Sequence, residues 1–69
     1  MTPTEIQQAR QSLGLSRAQL AAMLDLKSAQ DVQRMEMPDT AATHRAPPVR
    51  AVRLLRAYLA GYRPDDWPA

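Results

Sequence analysis

The sequence predicts an all-α fold, a compact domain of four helices, and three observations predict it. Helix-start signatures recur in quick succession, at Thr2-Pro3-Thr4-Glu5, at Ser16 with Gln19 and at Ser28 with Asp31. Between and after them, apolar residues recur at three- and four-residue spacing. No window alternates in period two with β-branched residues, as a half-buried strand would.

The first helix is expected over about residues 3–13. Thr2 can cap it, Pro3 suits the first helical position because its missing N–H has no partner there anyway, and Glu5 can reach back in a capping box. Met1 and Ile6 are placed to staple that start, Ile6, Ala9 and Leu13 form the apolar stripe, and Gly14 is a natural C-terminal stop. The same grammar then repeats. Ser16 with Gln19 forms a second capping box, Leu15 staples onto Leu20, and a second helix follows over about residues 17–24. Asp25-Leu26-Lys27 is too short for anything but a tight turn. Ser28 with Asp31 marks a third start, for a helix over about residues 29–35 that Pro38 closes off.

From Met37 to Pro48 the composition shifts to Pro, Thr, Ala and single charges, which reads as a loop. Pro47-Pro48 opens a fourth helix, expected over about residues 47–60 with Gly61 at its end. Leu54, Tyr58, Ala51, Tyr62, Leu55, Leu59 and Val52 occupy one arc of it, Arg50, Arg53 and Arg56 the other, and Val49 is a misfit among the arginines. Residues 61–69 form a tail whose two prolines forbid further helix, and Trp67 in it is expected either on the fourth helix or on a partner subunit.

A chain of 69 residues makes one domain and removes only about 60% of its unfolded surface on folding. There is no Phe, so Leu, Val, Ile, Met and Ala must fill most of the interior, and stability is expected to be modest or helped by a partner chain. The lack of Cys excludes disulfides and thiolate metal sites, and His44 is the sole histidine. No nucleophile and base pair, metal set or glycine-rich phosphate loop can be drawn, so no enzyme, cofactor or small-molecule ligand is expected. No apolar run reaches membrane-spanning length, and the start Met1 to Glu5 lacks the character of a secretion signal, which makes a cytoplasmic location the expectation. The formal net charge is only +2, but the middle is basic. Arg17, Lys27, Arg34, Arg45, Arg50, Arg53, Arg56 and Arg63 stand there against Asp25, Asp31, Glu36 and Asp39, which suits a polyanionic partner.

Residues 16–36 therefore read as two short helices joined by a three-residue turn, the geometry of a helix-turn-helix. Leu20, Leu24, Leu26, Val32 and Met35 can share one core and so fix the crossing of the helices. With Val32 inward, Gln30 and Arg34 lie nearly opposite the core, flanked by Gln33 and Asp31. Arginine can bond guanine and glutamine adenine bidentately, each for about 1–3 kcal/mol of discrimination. Gln30, Gln33 and Arg34 are thus the expected base readers. His44, Arg45 and Arg50, in the loop and at the fourth helix start, are placed to line a phosphate strand, and Lys27 and Ser28 in the turn join that set. Arg53 and Arg56 read as solvated.

Leu15-Ser16-Arg17-Ala18-Gln19-Leu20-Ala21 followed by Val32-Gln33-Arg34-Met35-Glu36 resembles the phage Cro and repressor-like helix-turn-helix family, also called XRE-type. The resemblance covers about residues 5–36 and implies a lambda-repressor-like four-helix domain. It implies a phosphate bond from Arg17, at the first position of the second helix, and base reading by Gln30, Gln33 and Arg34. The family's common turn Gly is Asp25 here, and the segment before Val32 is one residue longer than usual, which leaves the register of Ser28, Ala29 and Gln30 open. The implied function is a transcriptional regulator that binds a palindromic operator in double-stranded DNA as a homodimer, through the fourth helix and tail, and represses by promoter occlusion. Short members of the family are phage-type or anti-CRISPR-associated autorepressors or antitoxin-type autoregulators. From a different class, a helical protein-interaction module with an arginine-rich face is the rival expectation.

Overall fold

The structure, a computed structural model, describes residues 1–68; Ala69, the last residue of the expected tail, lies outside them. Four helices follow in order, α1 (Pro3–Ser12), α2 (Arg17–Met23), α3 (Ala29–Glu36) and α4 (Val49–Leu59), with no strand among the described residues. No helix among them is long and apolar enough to cross a membrane.

Both expected capping boxes form. The Glu5 carboxylate accepts from the Thr2 N–H at 2.8 Å while the Thr2 hydroxyl accepts from the Glu5 N–H at 3.1 Å. Ser16 and Gln19 repeat the exchange at 2.9 and 3.1 Å. The third start is different: Ser28 is extended and makes no side-chain cap. Asp31 does not reach back to Ser28 because its carboxylate is used elsewhere, accepting the Lys27 N–H at 3.1 Å. The fourth helix begins at Val49, after both prolines rather than at them, and it too has no side-chain cap.

Three of the four helices end in one way. After α1, Leu15 N–H donates to the Arg10 carbonyl at 3.2 Å and Gly14 N–H to Gln11 at 3.0 Å, with Gly14 at φ 72°. After α2, Leu26 and Asp25 donate to Ala21 and Ala22 at 2.8 and 3.3 Å, and after α4 Tyr62 and Gly61 both donate at 3.0 Å, to Ala57 and Tyr58. These paired bonds satisfy carbonyls that a helix end leaves unpaired, and they require a left-handed residue. Asp25 supplies it at φ 59°, the one positive φ outside glycine among the described residues. Asp tolerates that geometry better than most side chains.

The core joins all four helices: Ile6 and Ala9 from α1, Leu15 before α2, Leu20, Ala21 and Leu24, Val32 and Met35 from α3, and Ala51, Leu55 and Tyr58 from α4. Leu26 is only half-buried at its edge. Leu59 and Tyr62, on the apolar arc expected for the fourth helix, are 44% and 54% exposed, because no neighbouring element covers the end of α4. Tyr58 is the central contact of α4. Its hydroxyl donates to the Met23 carbonyl at 3.3 Å, and burial pushes its phenol above the usual tyrosine range. Trp67 folds back onto the helix, edge-on to Tyr58 at 5.1 Å between ring centroids, with the Arg63 guanidinium 4.4 Å from its ring.

Candidate nucleic-acid interface

The placement of α3 follows from its two apolar residues. Val32 and Met35 are buried against α1 and α2, so the helix cannot turn about its axis without exposing one of them. Gln30 and Gln33 stand exposed on the outside, as the sequence predicts, and the helix start at Ala29 places Gln30 in its first turn. Arg34 is half-buried and lines a recess together with Pro48 and Arg50 at the start of α4.

Asp31 corrects the expected surface. The sequence sets it on the flank of an exposed face, but it is 8% exposed. One carboxylate oxygen takes the Lys27 N–H and the other takes Arg45 Nη1, both at 3.1 Å. The Arg45 N–H in turn donates to the Arg34 carbonyl at 3.2 Å. Asp31 and Arg45 therefore fasten both the turn before α3 and the loop after it to the helix. Arg45 is still half exposed, with its other guanidinium N–H groups outside that bond.

Behind α3, Glu36 is shared by two arginines. Arg10 Nε donates to it at 2.6 Å and Arg17 Nε at 3.1 Å, with only 4% of the Glu36 side chain exposed. Arg10 also donates to the Leu15 carbonyl at 3.1 Å, so one side chain ties α1, the start of α2 and the end of α3. Arg17, at the first position of α2, is fixed through Nε, and its terminal nitrogens make no bond among the described residues. Neither Arg10 nor Glu36 was recognisable from the sequence as a pair, because 26 positions separate them and no local period connects them.

The remaining candidates divide. Lys27, Arg34, Arg45 and Arg50 come together with Asp25, Leu26, Asp31 and Pro48 around a recess of about 430 Å³ between the turn, α3 and the start of α4. Ser28 is exposed beside it and caps nothing. His44 is turned inward, with Nδ1 3.0 Å from the Met37 carbonyl, and is not brought to the recess. Among the described residues, no group of three or more His, Cys, Asp or Glu could hold a metal ion, and no buried side-chain nitrogen or oxygen lacks a partner.

No family model, curated protein or solved structure matches this chain.

Proposed function

We propose that this chain is a sequence-specific DNA-binding regulator of the Cro/repressor-like type, with α3 as the helix that enters the major groove. The observation that carries this reading is the corner of α2 and α3. Val32 and Met35 hold one side of α3 in the core, and Gln30 and Gln33 stand free on the other beside a basic recess. Glutamine on an exposed helix face can read adenine, while arginine and lysine at its margin set the helix against the phosphates. Arg17 suits a phosphate bond because Glu36 orients it through Nε and leaves its terminal N–H groups outward.

The longest dimension of the molecule is 36 Å, about one turn of duplex, and a single recognition helix covers too few base pairs for genomic specificity. The reading therefore includes a homodimer on a palindromic operator. Leu59 and Tyr62 at the end of α4 are the exposed apolar side chains that support contact between copies. Such a protein acts by binding alone, in the cytoplasm, and represses by occluding a promoter, often its own, as phage-type or anti-CRISPR-associated autorepressors do.

Anisotropy of a labelled duplex under a salt titration tests the DNA reading. Each phosphate contact should add about −0.9 to the slope of log affinity against log salt, and Arg17→Ala should weaken all sequences alike with a shallower slope. Little DNA binding at any salt would instead favour a protein-interaction module.

A further inference from the structure

We infer that the recess between the 25–28 turn, α3 and the start of α4 is a seat for one phosphate group, and that Arg34 belongs to this seat rather than to the base-reading pair Gln30 and Gln33. The inference about Arg34 rests on the DNA reading; the seat itself does not.

The recess is partly open to solvent and has a volume of about 430 Å³, room for a phosphate group together with the chain or ester that carries it. Lys27, Arg34, Arg45 and Arg50 line it against Asp25 and Asp31, so positive charge exceeds negative by two. The arrangement of those charges matters more than their number. Asp31 is already committed through both oxygens, to the Lys27 N–H and to Arg45. Lys27, Arg34 and Arg50 form no ion pair with any carboxylate among the described residues. Three unpaired cations gathered around a concavity, with Asp25 as its one uncommitted carboxylate, still repel one another, and an anion in the concavity relieves that repulsion.

Phosphate matches the donors. Its oxygens point in several directions, guanidinium forks bind it bidentately, and an ammonium adds a point charge. Arg45 is held at the wall by its bond to Asp31, with its other N–H groups outside that bond. Arg34 lines the same recess and, unlike Gln30 and Gln33, is half-buried. An arginine so placed reaches the recess from its side, while the two glutamines face outward.

A DNA backbone and a small phosphate ester share this chemistry, and the test separates them. Amide chemical shifts of the full chain are followed as inorganic phosphate is added at constant ionic strength, for the native protein, Arg34→Gln, Arg50→Gln and the control Arg53→Gln. The seat predicts saturable shifts confined to the recess, weakened roughly tenfold by Arg34→Gln and by Arg50→Gln and unchanged by Arg53→Gln. Shifts that never saturate, or that neither recess variant weakens, overturn it. If phosphate at saturating concentration displaces a labelled duplex, the DNA backbone is the natural occupant; if duplex and phosphate bind together, the occupant is a free ester. Saturable phosphate binding with no duplex binding supports the seat and overturns the DNA reading. Arg34→Gln should weaken all duplexes equally. Relaxed preference at one base pair would return Arg34 to the base readers and overturn its place in the seat.

Discussion

The Glu36 carboxylate accepts from Arg10 at 2.6 Å and from Arg17 at 3.1 Å with almost none of its surface in water. Charge buried in this way stabilises only as long as each member keeps its partner. Removing one leaves the other desolvated and uncompensated, a loss of about 3–5 kcal/mol. Glu36→Ala should therefore lower stability by about 3 kcal/mol or more in urea unfolding, whereas the double change Arg10→Met with Glu36→Met should recover most of it; a loss under about 1 kcal/mol from Glu36→Ala would show that the pair is solvated. Glu5 behaves differently because it is fully exposed. Hydrogen bonds from the Thr2 backbone and hydroxyl hold its carboxyl below the ordinary 4.5. A depressed folded value means stability that is fully present above the unfolded value and is lost as pH falls through the folded one. Relative to Glu5→Gln, the native chain should thus lose its advantage as the solution is acidified below about pH 4.5. Thermal melts of both between neutral and acid pH check this, and an advantage that grows on acidification would contradict it.

At the scale of elements, what was legible in the sequence was what is local. Thr2 with Glu5 and Ser16 with Gln19 act across three residues, so their capping boxes could be read directly and both form. Gly14 likewise announced a left-handed stop. Ser28 with Asp31 carries the same spacing and does mark the start of α3, but without a side-chain cap, because the Asp31 carboxylate is taken by the Lys27 N–H and by Arg45. The Arg10 and Glu36 pair was invisible for a related reason: only the packing of α1 beside α3 brings them together. Nor does the sequence tell which part of the apolar arc of α4 is buried, since a helical wheel cannot say where neighbouring elements stop covering it. The turn after α2 offers a direct check on the left-handed residue. Asp25→Val should cost about 1–2 kcal/mol by placing a β-branched side chain in left-handed geometry. Asp25→Gly should be neutral or stabilise by up to about 1 kcal/mol, because relief of strain is partly offset by a looser unfolded chain. Thermal unfolding of the two variants decides it, and a Val variant as stable as the native chain would mean that the turn is not held at φ 59°.

The whole molecule has one consistent division of labour. The buried Glu36 pair and the core hold α3 from behind, Asp31 and Arg45 brace its two ends, and Gln30 and Gln33 remain outside with a cation-lined recess beside them. α3 starts at Ala29, which leaves Gln30 exposed in its first turn. In the proposed account this geometry is repeated by two copies, with recognition helices one duplex turn apart, about 34–36 Å. The most direct measurement is in vitro selection of bound duplexes at physiological salt, followed by affinity for the selected and for random DNA. The account predicts an enriched palindrome whose half-sites are one helical turn apart, bound at least about a thousandfold more tightly than random sequence. Equal affinity for selected and random DNA, with no enriched sequence, would contradict it.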